Sequence, residues 1–364
     1  MDQKQVLNVG LVGFGFAARV FHCPLITNCS GLNLSAVLER NASASQSVYP
    51  SVQIVRTIDE LVGIPSLDLI VITSVNSTHF EYAKTALMAG KHCVVEKPFT
   101  ITSKEAEELS EIAKQKNLIL SCYQNRRFDG DFLTIKQIIE GNMLGKIVEL
   151  ESRFDRYRIE PKPSASPNKY AWRENADEPG GGILFDLGPH LIDQVICLFG
   201  KPESVTAHIE KQRPIEHSSD DSFTLTLHYP KINFNAVCRA SMVTKIKPPR
   251  FTIFGLHGTF IKNGLDVQES QLIDGKTPKS TGFGIDSNEN WGQIDTTMYN
   301  GENGIHFLGK IETIKGNYSA YYENVRDAIL GKSQLLITSE QAALTIKIIE
   351  KAFESSEKKI TVMI

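Results

Sequence analysis

The sequence predicts an α/β protein in two parts. Residues 1–125 form a doubly wound parallel sheet, and residues 126–364 an α+β domain with a large, mostly antiparallel open sheet. Three observations predict this. The first third alternates short apolar runs with helical patterns, a glycine-rich turn directly follows the first run, and after about residue 125 strand-like runs follow one another. At 364 residues the chain also exceeds one ordinary core, so two domains are expected.

In the first part, residues 6–12, 34–38, 68–73, 92–95 and 118–122 read as strands. They are continuously apolar rather than alternating, as a sheet covered on both faces requires. Helical patterns occupy 78–89 and 103–116, the second opened by Thr102 or Ser103 with glutamates in its first turns. Strand–helix–strand order makes right-handed crossovers. Pro24 is expected to kink or end the first helix early. In the second part, 132–141 reads as helix and 146–154 as strand, and 160–179 holds too many breakers for regular structure. A helical pattern covers 183–199, and strand-like runs lie at 204–210, 222–228, 234–243 and 250–254. Residues 264–304 are polar and glycine-rich and read as loop, with a further strand at 305–314 and closing helices at 318–330 and 339–355.

Composition narrows the function. A hydrophobic share of 41% with 22% charged residues is that of a globular protein. The formal net charge of −3, without a basic run, argues against nucleic acid as partner. No apolar stretch is long enough to span a bilayer, and the start carries no export pattern, so no membrane partner is expected and the compartment reads as cytosol. The six cysteines are scattered without a CxxC pair and read as reduced thiols, and no metal site is expected.

Three motifs carry chemistry. Gly13-Phe14-Gly15-Phe16-Ala17-Ala18 fits GxGxxG/A. Alone, it also fits a βα turn that binds nothing. Its place after the first strand, with Glu39 ending the next, favours a dinucleotide. Gly13 would permit the tight turn, Gly15 would let a pyrophosphate approach the helix start, and Phe16 and Ala17 would be further cofactor contacts. Glu39 favours the free ribose hydroxyls of NAD, whereas Arg40 favours the 2′-phosphate of NADP, so the cofactor reads as NAD(P).

The second motif, Glu96-Lys97-Pro98, puts a lysine at the carboxyl end of a buried strand, where open α/β sheets bind ligands. Pro98 restricts Lys97 to extended geometry, and a cis bond there would aim the side chain. An arbitrary lysine at a strand end is a solvated charge. The third motif, Asp186-x-x-x-His190-x-x-Asp193, follows three glycines and places Asp186 and His190 on one helical face. A surface pair or a core histidine would read the same way, and a metal site would need further ligands that the segment does not offer.

Together these segments resemble the Gfo/Idh/MocA family of dehydrogenases. The likeness runs in order along the chain: Gly13–Ala18, the Asn76-x-x-His79 loop, Glu96–Thr100, Tyr123–Phe132, Trp172-Arg173-Glu174 and Gly180–Asp193. The segments at 123–132 and 180–182 look closest to the branch with NADP-dependent scyllo-inositol dehydrogenases. In one departure, the third-strand loop reads Ser74-Val75-Asn76 where the family usually has Thr-Pro-Asn.

The resemblance implies a Rossmann domain followed by a substrate domain that often forms a homo-oligomer, here a dimer or tetramer. It implies hydride transfer between a nicotinamide and a secondary alcohol or ketone of a polyol, inositol or sugar. Lys97, Asp186 and His190 become the catalytic set. Asn76, His79, Glu96, Lys97 and Gln124 become cofactor contacts, and Arg126, Tyr157, Trp172, Arg173 and His190 substrate contacts. His190 would take the hydroxyl proton while Lys97 stabilises the same oxygen, or Lys97 would itself be the acid/base. Rival readings are a non-catalytic NAD(P)-binding sensor and a lyase or glycosidase that oxidises its substrate only transiently.

Overall fold

The structure, a computed structural model, describes residues 6–160, 174–176, 178–216, 218–300 and 303–364. It divides into two compact units. The first comprises Met1–Phe128, Val267–Gly284 and Asn317–Ile346, and the second Asp129–Asp266, Ile285–Gly316 and Lys347–Ile364. By packing, residues 267–284 and 317–346 thus group with the amino-terminal unit, although a division at residue 125 assigns them to the second part.

The first unit holds β1 (Leu7–Val12), β2 (Leu32–Leu38), β3 (Gln53–Val55), β4 (Leu69–Ile72), β5 (His92–Val95) and β6 (Leu120–Cys122). All pairs are parallel and the order is β3-β2-β1-β4-β5-β6. This is the dinucleotide-binding order, with its reversal between β1 and β4. β1 and β4 are almost wholly buried, which explains their unbroken apolar runs. β3 escapes the sequence pattern because only its last residue is buried.

Helices α1 (Cys23–Asn28), α2 (Ala44–Val48), α3 (Ile58–Val62), α4 (His79–Met88) and α5 (Ser103–Gln115) connect these strands. Thr102 caps α5 through a reciprocal box: its hydroxyl accepts from Glu105 N and the Glu105 carboxylate accepts from Thr102 N. Tyr318, Tyr321 and Tyr322 join Val9, Leu11, Cys23 and Tyr123 in one buried cluster, so a late segment of the chain completes the core of the first unit.

The second unit contains α6 (Gly130–Glu140), β7 (Ile147–Arg153), α7 (Ile183–Phe199), β8 (Ser204–Glu210), β9 (Ser222–Tyr229), β10 (Phe234–Ser241), β11 (Phe251–Gly255) and β12 (Gly258–Lys262). In the first unit follows α8 (Gln268–Ile273), in the second β13 (Gly292–Asn300) and β14 (Asn303–Ile311), and then α9 (Ser319–Ile329), α10 (Ser339–Lys358) and β15 (Val362–Met363) close the chain. The nine-stranded sheet has order β14-β13-β12-β11-β7-β10-β9-β8-β15. Only β7 and β10 pair in parallel, so the sheet is mixed and mostly antiparallel. α7 packs on β9 and β10, burying one face of the sheet.

Two readings of the sequence need correction. Residues 264–304 are not simply loop, because they contain α8 and β13. α8 has only six residues, and the exposed partner strand β14 lacks the alternation that a half-buried hairpin shows. Nor does Pro24 end the first helix. Residues 16–28 are helical throughout, with a π turn at Ala18–His22 and Pro24 at the amino end of α1. The wider turn gives the proline ring the room an α turn denies it.

Candidate active site

The glycine turn leaves β1 at Gly13, whose φ of +88° suits only glycine and whose N–H donates to Leu38 O at 3.0 Å. From β4's end the Thr73 hydroxyl donates to Val12 O at 2.8 Å, pinning the turn. At Gly15, no described atom beyond the adjacent residues lies within 4 Å of where a Cβ would stand. The space beside it is open, as the approach of a pyrophosphate to the following helix start requires. The residues therefore fit a dinucleotide. Phe16 is exposed with its ring edge-on to Phe21, and Ala17 is half-buried.

The π turn brings His22, fully buried, against the Glu-Lys-Pro segment. His22 Nε2 lies 2.8 Å from Glu96 Oε1, and Nδ1 lies 2.5 Å from the Tyr322 hydroxyl. The other Glu96 oxygen accepts the Lys97 N–H at 2.8 Å. Burial pushes the Glu96 carboxyl up, but the His22 hydrogen bond, the nearby charges and the Lys97 N–H outweigh it and hold the group below its usual range. An ionised Glu96 needs a donor at Nε2. The Tyr322 hydroxyl, raised well above its ordinary value by burial, stays protonated against Nδ1. His22, Glu96 and Tyr322 thereby fix the backbone of Lys97, which is itself half-exposed and joined to Pro98 by a cis peptide. Nothing in the sequence pattern singles out His22 or Tyr322.

The remaining first-unit candidates are mostly interior. Asn76 is buried at the start of a 3-10 turn. His79 is fully buried, with Nδ1 2.8 Å from Pro98 O and Nε2 3.2 Å from Ser74 O. It braces the loop after β4 against the Lys97–Pro98 peptide. Gln124 is buried just beyond β6. Arg126 is buried in a 3-10 turn and its guanidinium pairs with Glu269 of α8. Glu39 and Arg40 directly follow β2 and diverge: Glu39 is buried, Arg40 exposed.

In the second unit, α7 carries the Asp-His motif. Gly182 precedes it with φ +98°, and a Cβ there would stand 1.9 Å from Asp220 Oδ1. That glycine lets Asp220 reach the helix start, where Oδ2 accepts Leu184 N at 2.9 Å and the Asp220 carbonyl accepts Ile183 N. Pro189 stands inside α7, and the side chain of Leu184 comes within 2.7 Å of a Cβ on Gly188. His190 is 5% exposed and Asp193 1%, so both face the interior. Asp186 is half-buried, and its Oδ2 lies 3.5 Å from Arg156 Nη1. No sequence motif marks Arg156, which lies 30 residues before Asp186. Tyr157, half-exposed, bridges to Val243 with the Lys245 ammonium over its ring. Trp172 and Arg173 lie outside the described residues. Among the described residues, no group of three or more His, Cys, Asp or Glu side chains is arranged to hold a metal.

Two family models match the chain. One, described as the NAD-binding Rossmann fold of the Gfo/Idh/MocA oxidoreductases, matches residues 7–124. The other, their C-terminal alpha/beta domain, matches 136–364. The chain is 40% identical to an uncharacterized oxidoreductase, C115.03, of Schizosaccharomyces pombe over 98% of its length and 99% of the relative's. It is 34% identical to the scyllo-inositol 2-dehydrogenase (NADP(+)) IolW of Bacillus subtilis, covering 98% and 96%. A solved structure of the putative oxidoreductase yvaA from Bacillus subtilis superposes with a TM-score of 0.92 at 33% identity, covering 100% of both chains.

Proposed function

Because the chain belongs to the Gfo/Idh/MocA family of oxidoreductases, with that family's NAD-binding Rossmann fold, we propose that it interconverts a secondary alcohol and a ketone on a polyol, inositol or sugar. The observation that carries this reading is full-length similarity to a scyllo-inositol 2-dehydrogenase in a chain that holds Lys97, Asp186 and His190.

A bound nicotinamide supplies the hydride acceptor or donor. His190 accepts the proton of the reacting hydroxyl, and the Lys97 ammonium donates a hydrogen bond to the same oxygen, stabilising the charge that develops on it. Asp186 orients the imidazole, and Arg156, 3.5 Å from one oxygen of that carboxylate, helps to hold it in place. Glu96, its carboxylate engaged by His22 and by Lys97 N, serves by fixing Lys97. Tyr157, Trp172 and Arg173 are the substrate contacts of this reading, and Asn76, His79 and Gln124 shape the cofactor side.

We place the activity in the cytosol, a compartment suited to a chain whose six cysteines are free thiols. No described helix is long and apolar enough to cross a membrane. The working form is a homo-oligomer, since the edge strand β14 presents Ile305 and Leu308 at 71% and 70% exposure.

The test is a screen of inositols, inososes and aldoses against NAD and NADP, followed by nicotinamide absorbance. Lys97→Met should lower turnover of whichever substrate reacts by about 100-fold or more. Cofactor binding should stay within about threefold. Near-normal turnover would remove Lys97 from the mechanism. No turnover of any substrate beside tight cofactor binding would favour the sensor.

A further inference from the structure

A carboxylate that reads the free 2′- and 3′-hydroxyls of an adenosine ribose must accept from both. Glu39 stands where such a reader belongs, at the end of β2, whose Leu38 carbonyl holds the glycine turn. Its oxygens are already engaged. Oε1 accepts the Ser45 N–H at 2.9 Å and the Ser45 hydroxyl at 2.5 Å, and Oε2 accepts the Ala44 N–H at 3.0 Å. Of about four acceptor sites on a carboxylate, three are filled. The residue is 7% exposed. Glu39 therefore acts as a clamp that closes the loop over residues 39–45 and caps α2.

Arg56 fastens the same loop from the other side. Its guanidinium donates to the Glu39 carbonyl at 2.6 Å, to the Ala42 carbonyl and to the Ser43 hydroxyl. Arg56 is thus committed to the backbone. Arg40, between these fastened points, is exposed and makes no ion pair among the described residues. The loop presents one unclaimed guanidinium beside a carboxylate whose charge is offset by three donors.

We propose that Arg40 binds the 2′-phosphate of the adenosine ribose and that the chain accordingly selects NADP(H) over NAD(H). The guanidinium offers a phosphate paired, charge-assisted hydrogen bonds, whereas a ribose diol finds no free carboxylate at this strand end. The inference rests on the first unit's being a dinucleotide site, and not on any substrate or on the roles of Lys97 and His190.

Isothermal titration of the full chain with NADPH and with NADH tests it without turnover. NADPH should bind tighter by roughly 10-fold or more, the scale of one charged hydrogen-bonding contact. Arg40→Ala should abolish most of that difference by weakening NADPH alone, leaving the NADH dissociation constant within about twofold. Adenosine 2′,5′-bisphosphate and 5′-AMP, which differ only in the 2′-phosphate, should repeat the pattern. Equal binding of NADPH and NADH, tighter binding of NADH, or a preference that survives Arg40→Ala would each overturn the proposal while leaving the dinucleotide site intact. Binding of neither nucleotide would overturn the site itself, and the proposal with it.

Discussion

Gly15 and Gly182 are both glycine for steric reasons, but the obstacle differs. A Cβ on Gly15 meets no described atom beyond its chain neighbours within 4 Å, so the fold tolerates it and only a ligand objects. A Cβ on Gly182 would collide with Asp220 on a backbone at φ +98°. Gly15→Ala should therefore leave urea stability unchanged and weaken NADPH binding by about 10-fold or more. Gly182→Ala should cost about 2–4 kcal/mol in the same urea titration, from strain and overpacking together. Loss of stability in the first variant, or none in the second, would contradict these assignments. The GxGxxA spacing identifies Gly15 in the sequence, whereas the need for Gly182 arises from Asp220, 38 residues later, to which no local pattern points.

At the level of elements, helix α7 starts on a side chain from another segment. Burial, the largest cause, pushes the Asp220 carboxyl up to about 6, while its hydrogen bonds from Leu184 N and its own N–H resist and the charge of Asp221 adds to the rise. A carboxyl whose pKa is higher folded than unfolded binds its proton more tightly in the folded state. Its contribution is complete below the ordinary carboxylate range near 4 and is lost as pH rises from there through about 6. The shift of about two units corresponds to about 3 kcal/mol. Wild-type stability should thus carry a falling component between pH 4 and 6, and Asp220→Asn, which keeps an acceptor for Leu184 N, should flatten it. An unchanged pH profile of chemical denaturation in that variant would refute the assignment.

Helix α7 itself was legible to the residue, because its largely apolar run of 17 residues is too long for a strand and is bounded by Gly182 and Gly200. The buried strands of the first unit were legible for a similar reason. The π turn was not: Pro24 announced a disturbance, and only the packing of His22 against Glu96 and Tyr322 decides how the helix absorbs it.

At the scale of the whole molecule, the β13–β14 hairpin gathers several exposed apolar side chains, Met298, Tyr299, Ile305, Phe307 and Leu308. β14 ends the nine-stranded sheet, exposed along nearly all of its nine residues, with Ile305, Phe307 and Leu308 among them. A long open edge of this kind invites pairing. Light scattering after size exclusion should give a dimer or tetramer. The double variant Ile305→Asp and Leu308→Asp should shift it toward monomer, and a wild-type monomer at micromolar concentration would refute the assembly.

The sequence by itself determined the order of buried strands, the glycine turn, and the placing of Lys97 and the Asp186/His190 pair on recognisable elements. These depend on neighbours a few residues away, through burial periodicity and local backbone sterics. Only the tertiary structure decided which partner each buried polar group meets. Glu39 reads as a ribose ligand from its position, yet it is occupied by Ala44 and Ser45. Glu96 reads as a cofactor contact, yet it is held by His22, 74 residues away, which is held in turn by Tyr322, 300 residues away. The reason is physical: a buried donor or acceptor must be satisfied by whatever the fold brings beside it, and no local pattern specifies that partner.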